Sequence, residues 1–202
     1  MQTYSHLLIT ALAGDRLSKR GVPLHTKAFL VGSFLPDLPL IVLTIGFFVS
    51  SRWLSPQPLP EEQLFGELYD SHFFHDPLWI VGHNTFHAPF LLAGLLAVGF
   101  WGSRRGQRWG KPLIWLALGC ALHTLLDIFT HHHDGPLLLF PFDWQFRYAA
   151  PVSYWDPRYG AWWFSPLEHL LDLAILVFWI GGWWQRRRAA RSAQASLHGD
   201  PV

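Results

Sequence analysis

The chain of 202 residues has a single cysteine, Cys120, and it lies inside an apolar stretch. One cysteine allows no intramolecular disulfide and no zinc site built on paired thiolates. Charge is scarce as well: Asp, Glu, Lys and Arg make up 14% of the residues, against about a quarter in ordinary soluble domains. There is no Walker-type or dinucleotide-binding glycine pattern, no Gly-x-Ser-x-Gly elbow and no internal repeat. Phosphate-loop nucleotide binding, Rossmann-type cofactor binding and a nucleophile-elbow serine are thereby set aside. The first residues lack the basic start and cleavage site of a signal peptide, so no targeting segment is expected there.

What is abundant is apolar and aromatic: hydrophobic residues reach 50%, with 12 Trp and 16 Phe. Four stretches, near 28–50, 78–102, 113–130 and 166–184, are long and apolar enough to be read as membrane spans. Residues 2–13 read as a helix too short to span. The expected fold is therefore all-α: a multi-pass membrane bundle of about four spanning helices plus a short N-terminal helix. Residues 1–185 are expected to form one membrane-embedded domain, and the basic segment 186–202 a disordered tail.

Twelve of the 15 Lys and Arg fall in three places: before the first span, between the second and third, and after the fourth. In a four-span chain these segments share one side, and the positive-inside rule puts them and both termini in the cytoplasm. The acidic, Pro-rich loop 51–77 and the aromatic loop 131–165 then face outward. The bilayer is the expected partner. The arginines after the fourth span read as a topology anchor, so no nucleic-acid partner is expected.

The polar residues inside the spans carry the functional reading. Asp37 sits in GSFLPDLPL, where two prolines and a glycine predict a kinked or broken helix. An intramembrane carboxylate must face protein or water; its bland role is to cap the helix restarting after Pro36. His83 and His87 are spaced i, i+4 at the start of the second span. His123 and Asp127 share that spacing near the end of the third, and His131, His132, His133 and Asp134 follow. Glu168, His169 and Asp172 open the fourth span. These groups converge in depth on the outward half of the bundle. Imidazoles and carboxylates together are the ligands that Zn²⁺ and similar divalent ions prefer. The same groups could instead be interhelical hydrogen-bond pairs. His72, His75 and Asp76 are expected to be exposed in the outer loop, and His25 to lie in the cytoplasmic one.

Four pieces in order, SHLLITALAG (5–14), GSFLPDLP (32–39), GHNTFHAP (82–89) and HTLLDIFTHHHDGPLLLFP (123–141), resemble the LexA-regulated type of inner-membrane metal-dependent hydrolase. That family is distantly similar to zinc-dependent phospholipase C. The resemblance implies His6, Asp37, His123 and Asp127 as metal ligands, with Asp127 able to bridge two ions. His131 is the expected ligand from the histidine run. The family's second motif reads like H-R-G-x-T-H, whereas here it is HNTFH, so the ligand from that segment is His83 or His87. Asp134 or Glu168 is expected to take a proton from water, with His169 and Asp172 in supporting positions.

The implied function is hydrolysis of a phosphoester or lipid-like substrate, using one or two divalent ions, zinc first among them. The alternative is a metal-binding membrane protein without turnover, a carrier or a sensor. The apolar inner ends of the second and third spans speak against a polar path through the membrane.

Overall fold

The computed structural model describes residues 1–60 and 64–197, the side chains of 190–197 excepted. Glu61 and Glu62 of the acidic loop and the end of the expected tail, 198–202, lie outside the described residues. The described chain is all helical: α1 (Thr3–Lys19), α2 (Thr26–Phe34), α3 (Leu38–Val49), α4 (Glu67–His75), α5 (Pro77–Asn84), α6 (Pro89–Arg104), α7 (Gly110–Thr130) and α8 (Ala161–Leu197). Its one strand-like feature is an isolated bridge between Leu137 and Arg147.

Among the described residues two helices, α7 and the Ala161–Ala189 part of α8, are long and apolar enough to cross a membrane. The count rises to four if two bent pairs each act as one span. These are α2 with α3 and its π-helical extension (Thr26–Phe34 with Leu38–Leu54, bent 41°), and α5 with α6 (bent 48°). The break between α2 and α3 falls at Pro36 and Asp37, as the prolines predict. Asp37 stands at the N-cap position of α3, yet its side chain caps nothing; its oxygens turn into the bundle instead. The second break is one that residues 78–102, read as a single span, did not announce. Asp76 caps α5 by accepting from the Leu78 amide at 2.8 Å, with Pro77 in the first turn. The helix then stops at Asn84 and restarts at Pro89, whose missing N–H suits a first-turn position.

The tertiary frame centres on α7, which packs between α2 and α6, while α1 lies against α2, α7 and α8. Gly32 of α2 and Gly119 of α7 allow the closest approach. A Cβ on Gly32 would overlap the Leu116 carbonyl, and one on Gly119 would overlap the Phe29 carbonyl. Small residues at a crossing let two backbones touch, the usual device where lipid gives helices no hydrophobic reason to associate. This contact brings the C-terminal end of α2, and Asp37 just past it, against the side chains of α7.

Segment 51–77 is more ordered than a loop. Its last third forms α4, whose Phe73 packs with Phe47 of α3 and Trp79 of α5. Asn84 ties segment 131–165 down: its Oδ1 accepts from the Leu137 amide at 2.8 Å, and its Nδ2 donates to the Ile80 carbonyl at 2.8 Å. At the other end, α8 continues without a break through Arg186–Arg188 to Leu197.

Candidate metal centre

Four side chains from three segments meet in the middle of the bundle. Asp37 comes from the break between α2 and α3, His87 from the break between α5 and α6, and His123 and Asp127 from successive turns of α7. One donor atom from each lies within 4.8 Å of all the others. His123 Nε2 is 2.9 Å from Asp127 Oδ2 and 3.3 Å from Asp37 Oδ1, and His87 Nε2 is 3.4 Å and 3.8 Å from the same two oxygens. Donor atoms on a tetrahedron with bonds near 2.05 Å stand about 3.3 Å apart, so the spacing fits a zinc-sized ion.

Both ring tautomers are fixed by backbone. His123 Nδ1 lies 2.8 Å from the Ser33 carbonyl and His87 Nδ1 2.6 Å from the His83 carbonyl. A carbonyl only accepts, so each Nδ1 carries the proton and each neutral ring presents a bare Nε2. The two Nε2 atoms then face each other at 3.1 Å. Two lone pairs at that distance repel unless a cation lies between them. With two carboxylates and neutral rings the group carries a formal charge of −2, which a divalent ion neutralises. The buried and partly buried side chains present thus fit a divalent metal both in donor type and in charge.

The other oxygen of Asp127 serves a second set of neighbours. Oδ1 lies 2.9 Å from His6 Nε2, 2.9 Å from the Met1 amino group and 3.5 Å from His131 Nδ1. The His6 ring is fully buried and stacks on His123 with centroids 3.7 Å apart. Its Nε2 faces the carboxylate without hydrogen-bond alignment, and neither of its nitrogens has a hydrogen-bond partner. His6 and His131 therefore flank the four-residue group, as the short N-terminal helix and the end of α7 dictate.

The remaining expected residues divide by position. His83 is not in the group of four: the helix break carries His87 inward, and His83 stays one turn away, ring centroids 4.5 Å apart. Asp134 faces the cavity described below; Trp155 Nε1 donates to its Oδ2 at 2.7 Å, and its Oδ1 is buried without a partner. Glu168 lies behind α1, where its Oε1 accepts from the Gln2 amide at 2.7 Å, and it does not line that cavity. Asp172 accepts from Ser5 Oγ at 2.7 Å, and His169 is half exposed beside Tyr4. His132 stacks on Tyr159, its Nδ1 reaching the Ala150 carbonyl at 2.6 Å, and His133 lines the cavity described below beside Phe74 and Trp155 without joining the four.

A cavity of about 650 Å³ opens over the group, with Asp37, Asp127, His83 and His131 at its polar end. Thr3 borders it and holds Asp37 in place: its hydroxyl donates to Asp37 Oδ2 at 2.5 Å. Nothing in the sequence marked Thr3, or the carbonyl of Ser33. Both act through the meeting of α1, α2 and α7, which no local pattern records. In segment 131–165, burial and then Asp134 push the Tyr154 phenol well above its ordinary range. Burial also lowers Arg147 to about 10, against the pull of Asp134.

Residues 1–195 match the family described as YdjM inner membrane protein. The chain belongs to that family. Membership makes it an inner-membrane family protein and agrees with its apolar helices. Comparison with curated proteins and with solved structures gives no match. The hydrolase and phospholipase C likeness expected from the motifs has no counterpart in these comparisons. What the family match and the geometry share is a membrane helical bundle with a buried His/Asp group able to hold a metal ion.

Proposed function

We propose that this YdjM-family protein is a membrane-embedded, metal-dependent hydrolase acting on a phosphoester. The observation that carries the reading is the pair of Nε2 atoms 3.1 Å apart, each with its Nδ1 committed to a carbonyl, beside two carboxylates. Asp37, His87, His123 and Asp127 would hold the ion, with His6 and His131 on the far oxygen of Asp127. A bound divalent ion supplies a water of lowered pKa and stabilises charge developing on a phosphoryl oxygen. Asp134, a cavity residue with a buried and unpartnered Oδ1, would accept a proton from that water. His83 also faces the cavity with both ring nitrogens unpartnered, and would donate a hydrogen bond to the substrate. The distribution of Lys and Arg supports cytoplasmic termini and a site in the outward half of the bundle.

A competing reading puts one shared proton between the two imidazoles, making the group interhelical glue; the 3.1 Å separation suits a proton as well. Elemental analysis of the detergent-purified protein separates the two. The hydrolase reading expects one or two equivalents of a divalent transition metal, lost in His87→Gln. It also expects hydrolysis of a chromogenic phosphoester that chelator abolishes and zinc restores. Absence of bound metal, with folding unchanged by chelator, would leave the glue reading standing.

A further inference from the structure

The cavity over the metal group is two-sided in a way that a small water-soluble ester would not use. Its polar end holds Asp37, Asp127 and His83, the last only 8% exposed and with no partner on either ring nitrogen. An imidazole left this way in a low-dielectric interior costs free energy that a bound polar group would recover. Beyond Asp37, along α3, the lining turns apolar. Leu40, Ile41, Thr44 and Ile45, spaced to share one face of α3, form a continuous wall. The single polar side chain on that wall is already engaged, Thr44 Oγ1 lying 3.0 Å from the Tyr69 hydroxyl. The wall therefore offers a ligand contact area and no hydrogen bonds.

The edge of the wall lies at the bundle surface. Ile45 is 58% exposed although it borders the cavity, and Phe65, which also borders it, is 66% exposed. Since α3 belongs to a bent pair with the length and hydropathy of a span, the surface around Ile45 is expected to meet hydrocarbon rather than water. A polar end at buried carboxylates and histidines, joined to an apolar wall that runs out to the bilayer, matches an amphiphile entering from the side.

We infer that the ligand of this cavity is a membrane amphiphile, with an anionic phosphoryl head at the metal group and one hydrocarbon chain along α3. The assignment rests on the metal reading for its head and on the α3 wall for its chain. A free phosphate or a soluble phosphoester would share the head chemistry and leave the wall unused.

A photoreactive dodecyl phosphate, with a diazirine near the chain end, tests this in lipid nanodiscs holding the full chain. Adducts mapped by mass spectrometry are expected on residues 40–45 at least about tenfold above those on Leu173 and Val177, which face outward from α8. Ile41→Trp should remove them while zinc content stays as in the unaltered protein. Ile45→Trp, at an exposed position, should do the same without risk to the fold. Excess unlabelled dodecyl phosphate should compete about a hundredfold better than inorganic phosphate, the gain expected from burying three or four methylenes. Adducts spread evenly over the lipid-facing helices, or unaffected by both variants, would overturn the inference. Competition by inorganic phosphate as strong as by dodecyl phosphate would overturn it too, in favour of a soluble ligand. If the protein holds no zinc, the hydrolase reading fails on that measurement alone. The labelling pattern still decides the chain site, because its readout does not depend on the ion.

Discussion

Asp127→Asn changes one charge in the most crowded part of the molecule and nothing in its volume. The side chain is 3% exposed, and its two oxygens face His123 and His87 on one side and His6 on the other. With metal present, the variant loses an anionic ligand and leaves a site of charge −1 for a divalent ion. A fall in affinity of about a hundredfold is expected, which removes about 2.7 kcal/mol of ligand-linked stability at a fixed, saturating ion concentration. With metal removed, most of this loss disappears. Two carboxylates within 4.8 Å of each other repel by at least about 3 kcal/mol at an effective dielectric near 20. The Met1 amino group, 2.9 Å from Asp127, attracts the carboxylate by a comparable amount, so little net charge stabilisation is lost. The new amide keeps an oxygen for that amino group and can donate to a histidine Nε2. Chelated Asp127→Asn should therefore lie within about 1 kcal/mol of the chelated native protein. Thermal unfolding of both proteins in detergent, with zinc and with chelator, separates the two conditions alongside elemental analysis. Equal destabilisation under both conditions would refute the reasoning, and so would full metal retention by the variant.

Three other outcomes are expected. Gly119→Ala should cost about 2–3 kcal/mol by overpacking against the Phe29 carbonyl, and should weaken metal binding by moving the Ser33 carbonyl off His123. Gly46→Ala, with nothing within 4 Å of its Cβ, is the control and should stay within about 1 kcal/mol in a melting comparison. Asn84→Leu leaves the buried Leu137 amide without its acceptor and should cost about 2–3 kcal/mol in the same assay, while metal content is retained. The Arg158 guanidinium beside Asp156 holds its carboxyl down to about 2. A depressed carboxylate contributes fully above its unfolded value near 4 and loses that contribution as pH falls through about 2. Carbon-13 titration of Asp156 should show this midpoint, and Arg158→Ala should return it towards 4.

Hydropathy and proline placement were enough to specify a helical membrane bundle and a break at Asp37. These are local properties: a span needs a length of apolar chain, and a proline breaks the helix in which it stands. The i, i+4 spacing likewise put His123 and Asp127 on one face of α7 before any fold was known. The choice between His83 and His87 was of another kind. Both satisfy the helical spacing, and only the stop at Asn84 and restart at Pro89 bring His87 against His123, 36 positions away. Ser33 fixes the His123 tautomer across 90 positions, and Thr3 holds Asp37 across 34. Glu168 shares the depth of the site but turns to the Gln2 amide behind α1. Depth in a membrane follows from sequence position, whereas the direction a side chain faces around the bundle axis depends on how neighbouring helices pack. That packing rests on the Gly32–Gly119 contact, which places the end of α2 against α7 and so closes the four donors on one point.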